Sequence, residues 1–258
     1  MQSKQEKPMS AEVQKVDIEL TGNRLVSFKD KGRAFTLEFR RLTNGDWMKY
    51  FGGISTESER DAKERIDRFD VRTPGAALVN EALIGAKGYK TRSGEDLTTV
   101  ANWQRAIPYG HRAIAAEALI DVAPSQSAAE IAFDPEVQEV YLDARWGSVE
   151  PGTMQLYTGL LHRFGMVTVE HERRYNRAMS EARVVGGSRT GRTIYPGRHK
   201  LFAELYDDLV VGVAGYTVNG TALVENKALI REEMDTFHKV SAVACLFEKP
   251  EREEASAA

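Results

Sequence analysis

Apolar and polar residues alternate along three short stretches near the start of the chain. Residues 16–20 and 34–39 place apolar side chains at every second position, and residues 24–29 continue the strand-like pattern between them. The turn-forming triplets Thr21-Gly22-Asn23 and Asp30-Lys31-Gly32 separate these stretches. Period-two runs joined by glycine-containing turns are typical of an antiparallel meander. We therefore predict three consecutive paired strands.

Helical patterns follow these strands. Residues 55–70 carry acidic residues early and a thin apolar stripe later, which predicts an exposed helix capped by Ser55 or Thr56. Pro74 suits the first turn of a second helix, and Gly88 suits the left-handed position after the end of that helix. A third helix is predicted to close this half of the chain after Pro108.

The second half follows the same plan. A closing helix is predicted after Asp235, which is a good N-cap residue. Before it, we predict strands at residues 137–146, 154–163 and 166–174. A helix at 174–185, a loop at 186–198 and a further helix at 199–211 are predicted to follow them.

A short signature recurs at an offset of 127 residues (216 − 89 and 238 − 111). Its members are Gly88, Tyr89 and His111 in the first half and Gly215, Tyr216 and His238 in the second. Glycine would supply an unusual backbone conformation and tyrosine a hydrophobic lid with a polar tip, so a structural role is expected, and a binding role stays open. The repeat predicts an α+β fold in which a module, a small antiparallel β-meander packed by about three helices, is duplicated in tandem.

Composition shifts set the expected boundaries. The first module is predicted at 13–123 and the second at 137–249, with a linker rich in Pro, Ser and Ala at 124–136. Residues 1–12 and 250–258 are polar and are predicted to be disordered tails.

Charge and cysteine usage exclude several classes of protein. The 258 residues carry a formal net charge of −3, which argues against a chain that mainly wraps nucleic acid. A single cysteine, Cys245, allows no internal disulfide, and no apolar run is long enough for a membrane span or a signal peptide. A cytosolic protein without membrane attachment is expected.

Catalytic and metal-binding motifs are mostly missing from the sequence. Glu170, His171 and Glu172 fall on a predicted strand, where the two carboxylates would face away from the imidazole. His111 and His238 occupy equivalent positions, where a structural imidazole is favoured over a functional pair. We expect no metal and no cofactor.

The segment Gly186–Thr193 comes within one residue of a phosphate-binding P-loop, with Arg192 in place of the lysine. A P-loop requires a strand directly before it and a helix directly after it, and the sequence predicts neither here. What remains is the positive charge of residues 173–200. The arginine side chains of this stretch could contact phosphates or an acidic protein, or could simply be solvated. The candidate residues are Arg173, Arg174, Arg177, Arg183, Arg189, Arg192 and Arg198.

The hairpin-to-helix junction at residues 32–51 resembles the start of tail assembly chaperones from tailed bacteriophages. The matching positions are Phe35, Leu37, Phe39, Arg40, Leu42, Thr43, Asp46 and Trp47. The resemblance implies a non-enzymatic viral protein without cofactor, which binds other tail or virion proteins in the host cytoplasm. Incorporation into the virion and homo-oligomerisation stay open. These chaperones are usually shorter, single modules. The second half of this chain also lacks a counterpart of the Arg-x-Leu-Thr-x-x-x-Trp junction of the first half.

Three hypotheses follow. The first is a phage tail-related protein that acts by protein binding, in tail assembly or as a structural component of the virion. The alternative is a nucleic-acid- or phosphate-contacting protein that uses residues 173–200. The third is an enzyme with a site between the modules, where the polar candidates are Glu204, Asp207, Asp208 and His238.

Overall fold

The chain combines helices and mostly antiparallel strands, which confirms the α+β class. The computed structural model describes residues 17–60, 65–125, 136–147, 154–180, 183–185, 192–194 and 197–247. Within these residues there are seven α-helices and fourteen strands, and the strands form four small sheets.

The first half begins with paired strands and ends with a helix and a short strand. Its sheet has the order β2-β3-β6 and is antiparallel throughout. The elements are β1 (Ile18–Glu19), β2 (Arg24–Asp30), β3 (Arg33–Phe39), α1 (Asn44–Gly53), β4 (Ser55–Arg60), β5 (Arg65–Asp70), α2 (Arg72–Ala82), β6 (Leu83–Lys87), α3 (Tyr109–Leu119) and β7 (Val122–Pro124).

The second half contains the longest strands of the molecule. Its sheet has the order β12-β9-β8-β7, so β7 from the predicted module boundary extends it. The elements are β8 (Gln138–Gly147), β9 (Met154–Phe164), α4 (Val169–Ser180), β10 (Arg183–Val185), β11 (Arg192–Ile194), α5 (Arg198–Leu209), β12 (Val210–Ala214), β13 (Tyr216–Val218), β14 (Thr221–Ala222), α6 (Lys227–Glu233) and α7 (Thr236–Phe247).

Elements follow one another in a common order in the two halves. Each has two long paired strands, a helix, a short hairpin, a helix that runs directly into a third strand, and a closing helix. The third strand pairs with the second in both, and both pairings contain a register shift, opposite Phe39 and opposite Phe164. The extra residues at these shifts are Ile84 and Val211, which are 48% and 39% exposed.

The first predicted strand does not join a meander. Instead, β1 pairs in parallel with β13, with Ile18 opposite Tyr216, and the Ile18 N–H donates to the Gly215 carbonyl at 2.9 Å. The Glu19 carboxylate also accepts the backbone N–H of Gly220 at 2.9 Å. Alternation in β1 indicated one buried face, but the available partner edge lies in the other half of the chain. The predicted meander is wrong in this strand.

The predicted helix at residues 55–70 is wrong. These residues form a hairpin of β4 and β5, with a register that runs from Ser55 opposite Asp70 to Arg60 opposite Arg65. A charged segment with few apolar residues suits an exposed helix and an exposed hairpin equally well. The spacing of its apolar residues therefore does not distinguish a helix from a hairpin. A non-local partner decides the outcome, because β11 pairs with β4.

Both helices that were predicted to run into the Gly-Tyr signatures end early. α2 stops at Ala82 and α5 at Leu209, and the last residues of each predicted helix form β6 or β12. Gly88 therefore follows a strand, yet it has a φ of +90° as the left-handed conformation requires. A Cβ atom there would lie 2.4 Å from the Ala34 carbonyl oxygen, so close packing against β3 also requires glycine.

Residues 166–174 were predicted as a strand, and this is also wrong. α4 begins at Val169, and the acidic residues Glu170 and Glu172 lie in its first turn, where they favour a helix start. Of the predicted loop at 186–198, residues 192–194 form β11 and Arg198 begins α5. Residues 126–135 of the predicted linker and both predicted tails lie outside the described residues.

One buried apolar cluster includes residues from both halves. The halves pack closely where β2 passes β8: a Cβ at Gly147 would lie 1.7 Å from the Leu25 carbonyl oxygen. Trp47 of α1 packs against Phe237 of α7, with ring centroids 5.1 Å apart. Among the described helices, none has the length and apolarity to cross a membrane.

Candidate functional site

The predicted arginine-rich loop is mainly regular structure. Six of its seven arginines lie on described elements: Arg173, Arg174 and Arg177 on α4, Arg183 on β10, Arg192 on β11 and Arg198 at the start of α5. Arg189 lies outside the described residues. These basic residues are therefore spread over two helices and a hairpin.

Acidic side chains neutralise part of this charge. Arg174 donates to Asp208 at 2.6 Å, and Arg173 lies 3.8 Å from Glu170 on its own helix. Lys200 lies 3.8 Å from Glu204, one turn further along α5. The α4–α5 surface thus presents ion pairs, which weakens its attraction for phosphates.

The hairpins of the two halves combine in one sheet, which we call the hairpin sheet, with the order β10-β11-β4-β5. All three of its joins are antiparallel. The join between the halves pairs Arg192 with Glu57 and Thr193 with Thr56. In the part of the chain that the structure describes, no further strand pairs with the outer edge of β5 or of β10.

The residues that carry the phage-like pattern hold the start of α1. Thr43 is the N-cap and forms a capping box with Asp46. Arg40 donates to both carboxylate oxygens of Asp46, at 2.6 and 2.9 Å, and this hydrogen bonding holds the pKa of Asp46 well below its usual value against the effect of burial. Trp47 is fully buried and donates its indole N–H to Asp235 at 3.1 Å. Their observed role is to fix the junction and tie it to α7.

The repeated signature forms an equivalent contact in each half. The Tyr89 hydroxyl lies 2.9 Å from Nδ1 of His111, and the Tyr216 hydroxyl lies 2.8 Å from Nδ1 of His238. Nε2 of His111 lies 3.2 Å from the Asp30 carboxylate. Donation from Nε2 to that carboxylate leaves Nδ1 as the acceptor of the Tyr89 hydroxyl.

In the second half, this contact is part of a longer buried chain. His162 on β9 lies between two tyrosines, with Nδ1 2.8 Å from the Tyr206 hydroxyl and Nε2 2.9 Å from the Tyr216 hydroxyl. The order is therefore Tyr206, His162, Tyr216, His238, and we call it the Tyr–His chain. All four side chains are at most 1% exposed.

Burial keeps the Tyr–His chain uncharged. It lowers the pKa of His162 well below the usual value and that of His238 to about 3, and it raises the pKa of Tyr206 and Tyr216. Nε2 of His238 is buried without a hydrogen-bond partner among the described residues. A neutral chain closed from solvent is suited to fixing β9, α5 and α7 together, which is a structural role.

A polar cavity of about 390 Å³ lies between the halves. Arg24 and Arg41 line it from the first half, and Trp146, Asp235 and Lys239 from the second. Burial raises the pKa of Asp235, although the nearby Arg24 charge favours the ionised form.

Arg24 is the most buried of the basic residues that line this cavity. Its guanidinium carbon lies 3.9 Å from the ring centroid of Trp146, and its Nη atoms donate to the carbonyls of Leu119 and Arg145 at 3.2 and 3.3 Å. Burial lowers the pKa of Arg24 to about 10, so it remains charged at neutral pH. These contacts fasten β2 to β8 and to the end of α3.

The four residues considered for an enzymatic site are not brought together. Asp207 faces the cavity and accepts from Lys239 at 2.7 Å, while Asp208 and Glu204 contact Arg174. His238 belongs to the Tyr–His chain. Adjacent helix positions point about 100° apart, so Asp207 and Asp208 diverge as expected.

The P-loop-like segment does not acquire its required setting. Arg192 and Thr193 lie on β11, where a P-loop would begin a helix. Within the described ranges, no group of three or more His, Cys, Asp or Glu residues could hold a metal ion.

Sequence reasoning missed three buried polar residues, Arg24, Lys239 and His162. Arg24 donates to the Arg145 carbonyl in the other half, whereas the hydrogen-bond partners of Lys239 and His162 lie within the second half. The available signal was a polar residue directly after apolar ones, as at His162 after Leu160 and Leu161.

No protein-family model matches the chain, and no curated protein and no solved structure is significantly similar to it.

Proposed function

We propose that this chain is a non-enzymatic protein of tailed-phage tail morphogenesis, which acts by binding other proteins during tail assembly or within the virion. The hairpin sheet is the observation that carries the proposal. Its outer strands β5 and β10 present backbone donors and acceptors that no described strand of the chain pairs with. Such edges are protein-binding surfaces, because an incoming strand satisfies those groups.

A tandem duplication is the second part of the proposal. The common order of elements, the register shifts opposite Phe39 and Phe164, and the two Tyr–His contacts support it. A chain of two like modules offers two like surfaces, as a building block of a larger assembly would. Ile84 and Val211 are one such pair of exposed apolar positions.

The test combines light scattering with co-purification. The purified chain is run through size-exclusion chromatography at low and high salt, with and without nonspecific DNA. It is also co-expressed with the proteins encoded beside its gene, and stable complexes are identified by mass spectrometry. We expect no response to DNA and a complex with at least one tail protein.

The nucleic-acid alternative makes the opposite prediction. A shift with DNA at low salt that disappears at high salt would contradict the proposal, since phosphate contacts release counterions. Arg173→Gln and Lys200→Gln variants should then weaken the shift. Failure to bind any neighbouring tail protein would also count against a tail role.

A further inference from the structure

We propose that the cavity between the two halves binds an organic carboxylate, as a free acid or as the carboxyl end of a peptide, beside the buried guanidinium of Arg24. The inference uses no strand of the hairpin sheet. It therefore goes beyond the proposed protein-binding function and can fail separately from it.

The cavity has the size and the mixed lining of a small-ligand site. Its volume of about 390 Å³ would hold about a dozen water molecules at ~30 Å³ each. Leu20 and Leu42 line it from the first half, and Ala203 and Met234 from the second, next to the charged groups. Pockets with apolar walls and a few polar groups are typical of organic ligand sites, and they are common where two structural units meet.

Arg24 brings to this cavity a positive charge that is not paired with a carboxylate. Its side chain is 3% exposed, and no ion pair joins it to a described acidic residue. Asp235 lies near enough to favour the charged form of Arg24 but makes no ion pair with it. A buried charge without a partner is costly, so an anion beside the guanidinium would stabilise the protein.

The guanidinium also has hydrogen-bond donors to spare. Of its five N–H groups, two donate to the carbonyls of Leu119 and Arg145, and Nε is buried without a partner among the described residues. Since Nε is enclosed, a ligand in the cavity meets the second N–H of an Nη atom. A planar carboxylate matches the planar guanidinium in such a contact.

The other charges that line the cavity are largely satisfied within the protein. Arg41 pairs with Glu233 at 2.5 Å, and Lys239 pairs with Asp207 at 2.7 Å. Asp235 accepts an indole N–H at 3.1 Å and a backbone N–H at 2.8 Å. An incoming anion therefore reaches a positive charge at Arg24 without breaking either ion pair.

The acidic lining favours a ligand with a single negative charge. Asp207, Glu232 and Glu233 line the cavity together with Arg24. A phosphate group carries up to about two negative charges near neutral pH, so these carboxylates repel it more strongly than they repel a carboxylate. One unpaired guanidinium and an apolar wall suit a carboxylic acid with an apolar body.

Titration with hexanoate, followed by NMR, tests the inference. Trp146 lines the cavity and Trp103 does not, so their indole N–H signals report on the site and on a remote position. Trp146→Phe and Trp103→Phe assign the two signals. We expect the Trp146 signal to shift and saturate with a Kd of about 1 mM, as suits a ligand of about eight non-hydrogen atoms, while the Trp103 signal stays fixed.

Two probes and three variants locate the contact. Hexanamide has the same shape without the charge, and neither it nor inorganic phosphate should give a saturable shift. Arg24→Gln should weaken hexanoate binding at least about tenfold. Ala203→Leu fills the cavity, retains Arg24 and should abolish binding, so it decides the question if Arg24→Gln does not fold. Ala77→Leu, at an exposed position of α2, is the matched control and should bind as the wild type does.

A peptide arm distinguishes the two sources of the carboxylate. The tripeptide acetyl-Ala-Ala-Leu is compared with its C-terminal amide and with hexanoate. Tighter binding of the free tripeptide than of hexanoate would identify the end of a polypeptide as the ligand, and the reverse order would identify a free acid. The amide should not bind in either case.

Four results would overturn the inference. They are a Trp146 signal that does not move with hexanoate at about 20 mM, far above the expected Kd, equal shifts with hexanamide, tighter binding of phosphate than of hexanoate, and unchanged hexanoate binding in Ala203→Leu. None of these results bears on the binding of other proteins to the hairpin sheet. Conversely, failure to bind any neighbouring tail protein would leave the carboxylate site standing.

Discussion

The hydroxyl of Tyr216 lies 2.8 Å from Nδ1 of His238, and both side chains are only 1% exposed. An equivalent contact joins Tyr89 and His111 at 2.9 Å, with the same separation of 22 residues along the chain. The two contacts differ in their surroundings: His111 reaches the partly exposed Asp30 carboxylate, whereas Tyr216 also contacts buried His162.

Tyr216→Phe should therefore destabilise the protein more than Tyr89→Phe. Removal of the Tyr216 hydroxyl leaves two buried imidazole nitrogens without a partner, which should cost about 2–4 kcal/mol. Removal of the Tyr89 hydroxyl affects one nitrogen and should cost about 1–2 kcal/mol. Urea unfolding measures both, and Tyr109→Phe at an exposed position is the matched control. Equal losses for the two buried sites would contradict the Tyr–His chain.

Acid should destabilise the fold through its buried histidines. The pKa of His238 is lowered to about 3 and that of His162 also lies well below 6.5, so both stay neutral in the native state while the unfolded chain binds protons. The free energy of unfolding should fall below pH 6.5, by up to about 1.4 kcal/mol per pH unit for each histidine. Urea unfolding at intervals between pH 7.5 and 4.5 measures this.

His238→Gln isolates one contribution to that slope. The variant lacks one proton-binding site in the unfolded state, so its stability should fall less steeply with acid than the wild type. Parallel curves for the wild type and His238→Gln would show that His238 is not held neutral.

Alanine at three glycines should separate backbone strain from steric overlap. Gly94, Gly215 and Gly88 share φ values of about +90°, but a Cβ meets nothing within 4 Å at Gly94, the flexible Leu160 side chain at 2.9 Å at Gly215, and a backbone oxygen at 2.4 Å at Gly88. We expect losses of about 1 kcal/mol, about 2 kcal/mol and more than about 3 kcal/mol in that order. Thermal unfolding gives the ranking, and a different order would contradict the packing of β6 on β3.

Arg24→Leu should loosen the contact between the halves. The buried carbonyl of Leu119 and the partly buried carbonyl of Arg145 lose their donor, and Asp235 loses the positive charge beside it. The expected loss is about 3 kcal/mol, against less than about 0.5 kcal/mol for the exposed control Arg105→Leu. Urea unfolding measures both. A small effect at Arg24 would mean that apolar packing alone holds β2 against β8.

Local signals identified elements whose partners lie nearby in sequence. The resemblance at residues 32–51 implied a hairpin-to-helix junction, and α1 begins there with a capping box of Thr43 and Asp46. Alternation located β2, β3, β8 and β9, each of which pairs with its neighbour in the chain. The Gly-Tyr-His signature pointed to equivalent positions, and the equivalent contacts are formed. In these cases the information is local, because a cap, a turn or an adjacent strand supplies the partner.

Tertiary structure decided the elements whose partners are remote. The segment 55–70 has a charge pattern that suits a helix as well as a strand, and its pairing with β11, more than a hundred residues away, selects the strand. β1 finds its partner in β13, and Arg24 and Asp235 come under each other's charge only where the halves meet. The sequence by itself determined which faces are apolar and where local caps and turns form. Only the folded chain determined which edges and charges meet, because backbone pairing and burial depend on neighbours that no local pattern contains.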